Sequence, residues 1–345
     1  MFSGYIKQNG RRYFVWVTRD SGLPIFGCIA YGLIDRGTNL IQIRPTTLCA
    51  LSCIFCSTDA GPFSKHRQTE YIVELDYLVE EFINLVKFKG PHRIEAHIDT
   101  VGDPLTYPKI VDLVQELASV PGVDVISMQT HGVLLSEKLI EELDEAGLSR
   151  INLSIDSMDP EKAKFLAGTD FYNLDHVLNM AEYVVKNTKI DLLIAPILIP
   201  GINDKDIPKI IEFAIKIGAG KYWPPLGIQK FEAHKRGRKP KDVKRMSWRR
   251  FYSILKMWED KYKIKLILNP EDFGIHKRRT YPSPFKKGDI VEVKILAPGW
   301  LKGEALGIAK GFAITIVGMR DIPIHQKIFV KIIRTKHNIF LAKPI

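Results

Sequence analysis

Apolar residues follow two alternating rhythms along the middle of this chain. Short runs, continuous or with period two, read as strands: Leu40–Ile43, Arg93–Ile98, Val123–Met128, Arg150–Ile155, Ile190–Leu198 and Lys221–Gln229. Between them, apolar residues recur every three or four positions and read as helices: Ile72–Val86, Ile110–Leu117, Glu137–Ala146, Leu174–Val185 and Asp206–Ile217. Trp248–Asp260 is a further helix after the last strand. About six strand–helix units predict an α/β fold, a parallel sheet with helices outside, short of the eight units of a full TIM barrel.

The rhythm changes at both ends. Residues 1–35 read as a small β extension, in which Asn9-Gly10 separates Phe2–Lys7 from Arg12–Val17 as a tight hairpin turn would. Beyond the linker Tyr281-Pro282-Ser283-Pro284 come short β-like runs broken by Gly and Pro: Ile290–Leu296, Ala305–Ala309, Phe312–Val317, Lys327–Ile333 and Asn338–Ala342. These predict a small all-β barrel over 282–345, after a central domain over 36–275.

At 345 residues, 46% hydrophobic and 26% charged, the chain has room for one large domain and a small one, of ordinary globular composition. No uninterrupted apolar stretch of the roughly 18 residues needed to span a bilayer occurs, so no membrane partner is expected. Met1–Lys7 lacks the apolar core of a signal peptide. The net charge of +11 suits a polyanionic partner, as it would suit any protein of a generally basic proteome.

Chemistry enters at Cys49-Ala50-Leu51-Ser52-Cys53-Ile54-Phe55-Cys56, which holds three of the chain's 4 cysteines. That clustering argues against a disulfide framework and for a reducing cytoplasm. Thiolate is a soft ligand, and three thiolates can hold three irons of a [4Fe–4S] cube while the fourth iron stays open to a substrate. A structural zinc site is the alternative, though such sites are usually closed by four protein ligands, often in two separated pairs. The fourth cysteine, Cys28, reads as a small core residue.

The C-x3-C-x2-C loop, with Phe55 before its last cysteine, resembles the signature of the radical SAM superfamily. The resemblance implies a [4Fe–4S] cluster on Cys49, Cys53 and Cys56, with S-adenosylmethionine on the open iron. It also implies reductive cleavage of SAM to methionine and a 5′-deoxyadenosyl radical, fed by an electron donor such as ferredoxin or flavodoxin. The implied architecture is an open partial (β/α)6 TIM-like barrel with its site at the strands' C-terminal ends. Further matches fall at successive strand ends. Thr100-Val101-Gly102-Asp103-Pro104 resembles the G-G-E-P stretch beside the SAM amino group, with Asp103 for the glutamate and Val101 for a glycine. Gln129-Thr130-His131-Gly132 resembles a T-N-G turn, with His131 in the asparagine place. Ser154 and Asp156 stand where family members place polar groups on SAM, although a capping role before Pro160 fits them too. Gly201, within Ile199–Asp204, belongs to a stretch that packs on adenine, and Leu226, Gly227 and Ile228 would offer backbone groups to it. No catalytic residue beyond the cluster is implied.

Phe285-Lys286-Lys287-Gly288-Asp289, Gly307-Ile308-Ala309 and Phe329-Val330-Lys331-Ile332 resemble a TRAM domain, an OB-like RNA-binding module of RNA-modifying enzymes. RNA, tRNA foremost, is then the expected partner, with Lys286 and Lys287 among its contacts. Lys235, Arg236, Arg238, Lys239 and Lys241 form a basic segment interleaved with aromatics, which is how single strands are held; a solvated loop with core aromatics would read the same way. With only Cys28 outside the loop, a second three-cysteine cluster or a pair of catalytic cysteines is excluded. A radical enzyme for a protein or small-molecule substrate, and a non-catalytic RNA-binding module with a structural metal, remain alternatives.

Overall fold

A computed structural model describes residues 5–8, 12–241 and 243–345. It resolves into two compact units: Met1–Leu48 with Ser64–Asp124 and Lys277–Ile345, and Cys49–Phe63 with Val125–His276.

In the first unit, Leu40–Arg44 pairs antiparallel with Gly32–Asp35 and parallel with Ile94–Ile98. Tyr5–Gln8 and Arg12–Val17 pair antiparallel, as the hairpin reading expects, although the turn at Asn9-Gly10 lies outside the described residues. Arg12–Val17 also pairs parallel with Thr69–Val73. The helix expected from Ile72 therefore begins later, at Leu75, and runs to Lys89. The β-branched run Ile72-Val73 is drawn into a sheet by a partner more than fifty positions away, which local periodicity does not register.

The five C-terminal runs close into a barrel in the order Ile290–Pro298, Glu304–Ala309, Phe312–Val317, Leu341–Pro344, Lys327–Arg334. Phe285, Val293, Ile295, Ile314, Ile316, Val330 and Phe340 fill it. The entry into this barrel is pinned by a buried ion pair: Lys89 Nζ lies 2.8 Å from Asp35 Oδ1, and Asp35 Oδ2 accepts from Tyr281 N at 2.6 Å. Closing both carboxylate oxygens is what makes such a buried charge tolerable.

In the second unit, Val123–Thr130, Arg150–Leu153 and Asp191–Ile194 run parallel, with Thr130 opposite Leu153 and Leu153 opposite Ile194. Helices Glu137–Glu145, Leu174–Asn187, Asp206–Ile217 and Trp248–Tyr262 follow the predicted pattern. Pro160–Ala167 is an additional short helix, started by the Asp159 side chain capping Lys162 N and by Pro160 in the first turn.

The strand expected over Lys221–Gln229 is reduced to a parallel bridge between Leu226 and Ile194 and the short pair Ile197–Leu198 with Gln229–Lys230. Pro224 and Pro225 have no N–H for a ladder. The buried Asp191 carboxylate instead gathers the N–H groups of Lys221, Tyr222 and Trp223 at 2.7–2.8 Å and bends this stretch. Among the described residues no helix is long and apolar enough to cross a membrane.

Candidate functional site: the cysteine loop and its supports

The loop carrying Cys49, Cys53 and Cys56 is held by backbone bonds. Ser52 N and Ile54 N donate to Ala167 O and Leu166 O, both at 3.0 Å, so the loop docks on the last turn of helix Pro160–Ala167. Gly168 closes that helix at φ +64°, and a Cβ there would sit 2.2 Å from Ser52 O. Only glycine serves both the left-handed cap and the close approach.

A second support comes from the basic segment. Arg238 N donates to Cys56 O at 2.8 Å, and Arg238 Nε donates to Cys53 O at 2.7 Å. The same guanidinium reaches Asp59 Oδ1 at 3.0 Å and the carbonyl of Ala60. Asp59 is buried in a left-handed conformation, φ 51°. One arginine thus ties together four residues of the loop, two of them cysteines.

Around the thiols the donors are aimed inward. Ala60 N donates to Cys56 Sγ at 3.2 Å, and Thr58 Oγ1 lies 3.3 Å from the same sulfur. His131 Nε2 stands 3.8 Å from Cys53 Sγ. Burial pushes the Cys53 thiol well up; next come the charges of Cys49 and Cys56 and then that of Asp156, while Arg238 pulls it down. Three thiols close enough to oppose one another's ionisation, with N–H donors beside a sulfur, fit a cluster that takes one thiolate per corner. Among the described residues no three His, Cys, Asp or Glu side chains form a group able to hold a single ion.

A recess beside the loop is lined by Cys53, His131, Asp156, Ser157 and Tyr172. Burial raises the Asp156 carboxyl, against the pull of His131 and of Ile197 N, which donates to Asp156 Oδ1 at 2.8 Å. The neighbouring strand ends are bonded to one another. Ser154 N donates to Thr130 O at 2.8 Å, Gln129 Nε2 donates to Ser154 Oγ at 3.0 Å, and Gly227 N donates to Ile194 O at 2.9 Å. Thr130, Leu226 and Ile228 are buried, while Gly201 lies exposed in the turn after Leu198. Of the segment's cations, Lys235, Lys239 and Lys241 are exposed and Arg236 is half-buried.

A family profile described as "Radical SAM superfamily" matches residues 43–214, a span that contains the cysteine loop, Thr130, Ser154, Asp156 and Gly201. A protein of Methanocaldococcus jannaschii, described as uncharacterized, is 45% identical over 94% of this chain and 79% of its own length. A "Probable GTP 3',8-cyclase" of Pyrococcus abyssi is 30% identical over 76% of this chain and 78% of its own length. The chain belongs to the radical SAM superfamily. Other proteins named GTP 3',8-cyclase match over about half their own length, 51% and 50% in two cases. The FeFe-hydrogenase maturase HydG of Carboxydothermus hydrogenoformans superposes with a TM-score of 0.51 at 15% identity, over 65% of this chain and 51% of that one. That likeness concerns the fold alone. The fold of this radical SAM protein is α/β, a partial TIM-like barrel with a small C-terminal β-barrel. Its cofactors are a [4Fe–4S] cluster and S-adenosylmethionine.

In the first unit, Gly102 and Asp103 are built against the residues that lead into the cysteine loop of this radical SAM chain. Asp103 N donates to Leu48 O at 2.8 Å, and a Cβ on Gly102 would fall 1.9 Å from that oxygen. Asp103 Oδ1 caps Leu105 N at 3.0 Å. The fully buried Arg67 is a site residue that sequence reasoning misses. It donates to Thr47 O at 2.6 Å and to Val101 O, and pairs with Glu70 at 3.2 Å. It fixes both sides of that approach. Nothing in the residue pattern marks it beyond an arginine near Glu70, since its other partners are distant carbonyls. Cys28 is buried in this unit, and burial pushes its thiol up to about 11. Lys286 and Lys287 are exposed there.

Proposed function

We propose that this chain is a single-cluster radical SAM enzyme that modifies a nucleotide in RNA, with tRNA the leading candidate. When bound, the cluster supplies the electron that cleaves SAM to methionine and a 5′-deoxyadenosyl radical. Cys49, Cys53 and Cys56 hold the cluster. Gly102 and Asp103, with Thr130, Ser154, Asp156, Gly201 and Leu226–Ile228, bind and orient SAM. The protein's own contribution is to exclude water and position the substrate, the chemistry belonging to the cofactor. A low-potential carrier such as ferredoxin or flavodoxin supplies electrons, and the cytoplasm keeps the thiols reduced.

The observation that carries the RNA reading is the path of the basic segment. Arg238 is bonded to the cysteine loop, and on either side of it Lys235, Lys239 and Lys241 stand in solvent. Phosphates held by these lysines would bring a nucleotide to the loop itself. The closed barrel at residues 290–344, read as TRAM-like, supports the same substrate through Lys286 and Lys287.

A second reading is a free guanine nucleotide, favoured by the 30% identity to the P. abyssi protein over three-quarters of both chains. Formation of 5′-deoxyadenosine by the reduced holoenzyme, with either tRNA or GTP added, separates the two. Stimulation by tRNA, together with loss of one modified nucleoside in a deletion strain, is the expected result. Stimulation by GTP alone would overturn the RNA reading.

A further inference from the structure

Helix Trp248–Tyr262 turns Phe251, Leu255 and Trp258 inward, at a spacing that makes one buried stripe. Trp248 and Tyr252 fall outside that stripe, one turn apart, and remain 52% and 46% exposed. Their rings stack, with centroids 5.8 Å apart and planes 29° from parallel. Lys230 Nζ lies 4.7 Å from the Trp248 ring centre, in cation–π contact. Lys244, Arg245, Arg249 and Arg250, close to the pair in sequence, are exposed. Asp242 is the single acid between His234 and Ser253.

A tryptophan left half in water needs a reason, because burying such a ring elsewhere would stabilise the fold. Here the ring stacks on a neighbour and carries the ammonium of Lys230, itself paired with Glu232, on a helix start rich in exposed cations. A planar aromatic surface bordered by positive charge is complementary to a nucleobase attached to a phosphate. An acidic protein would match the cations but would not require stacked rings.

We infer that Trp248 and Tyr252 form a stacking platform for an unpaired base of an RNA strand, with Arg249 and Arg250 holding the adjoining phosphates. The inference rests on the RNA reading and adds to it a contact surface and a single-stranded target. A stacked base is sequence-tolerant, so the platform anchors the strand and leaves selection of the reacting nucleotide to the recess by the cysteine loop.

The test is binding of a fluorescent oligouridine strand to the intact chain across a range of salt. Trp248→Ala should weaken binding about ten- to hundredfold, the effect of losing one base–aromatic stack. Trp248→Phe should retain most of the affinity, and its circular dichroism should match that of the parent. The slope of log affinity against log salt should stay unchanged in Trp248→Ala. In the double variant Arg249→Gln, Arg250→Gln that slope should flatten by roughly 1.4, since about 0.7 is lost per phosphate contact on single strands. If Trp248→Ala binds as well as the parent, the platform is overturned while the RNA reading stands. The platform also falls if Trp248→Ala slows reduction by an acidic carrier protein but leaves RNA affinity intact. If the parent itself binds neither oligouridine nor tRNA, the RNA reading fails and the platform with it.

Discussion

The cysteine loop and the basic segment belong to the same unit and touch at Arg238, yet they solve opposite problems. The loop gathers groups that become negative and sets beside them the N–H of Ala60, the buried Asp59 and one guanidinium. The segment gathers positive groups and leaves most of them in water. Arg238 and Lys239 are adjacent and equally basic in sequence. The first makes a backbone bond and three side-chain bonds to the loop, and the second is exposed. A run of cations is therefore not one functional unit. A member whose guanidinium finds carbonyl partners becomes architecture, which suits arginine's fork of donors better than lysine's single ammonium.

Substitution at these two positions should break the comparison most sharply. Arg238→Gln removes a cation paired with the buried Asp59, and losing one partner of a buried pair costs roughly 3–5 kcal/mol. The pair is partly solvated, with side-chain exposures of 20% and 2%, so about 3 kcal/mol is the better expectation. Hydrogen exchange in the apoprotein should speed up across residues 53–60, and reconstituted protein should lose iron faster to a chelator. Arg238→Lys should restore part of both. Equal exchange and equal iron retention in Arg238→Gln would show that the loop holds itself. At the other end of the scale, Lys239→Gln should change stability by less than about 0.5 kcal/mol, as surface substitutions do. It should weaken RNA binding only several-fold, with a shallower salt dependence. A stability loss at Lys239 matching that at Arg238 would erase the distinction.

A smaller contrast concerns the thiols. Cys28, buried and raised to about 11, should resist iodoacetamide at pH 8 in the folded apoprotein, because the thiolate is the reacting form. Cys49 and Cys56, half-buried, should be alkylated. Rapid labelling of Cys28 in the native state would contradict its placement.

Much of this was legible in the chain, for reasons that differ by region. Asp206–Ile217 is read correctly at both ends, because its apolar stripe is regular and Gly218 stops it in the left-handed region. The runs of the C-terminal barrel are found because they are short and broken by glycine. Helix Pro160–Ala167 escapes notice because eight residues give too little periodicity. Lys221–Gln229 misleads because its apolar residues pack without a ladder. Among site residues, the three cysteines stand out by spacing alone. Arg67 does not, and Arg238 reads as an RNA contact instead of a brace, because each acts on backbone carbonyls distant in sequence, a kind of contact that residue patterns do not encode.

Iron and sulfide analysis of anaerobically reconstituted protein, paired with detection of 5′-deoxyadenosine after reduction in the presence of SAM, most directly tests the assignment of a single catalytic cluster to this loop. About four irons per chain are expected, the content of one cube. Alanine at Cys49, Cys53 or Cys56 should abolish both signals, and Cys28→Ala should leave both intact. Stoichiometric zinc without iron, or loss of the cluster in Cys28→Ala, would contradict the assignment.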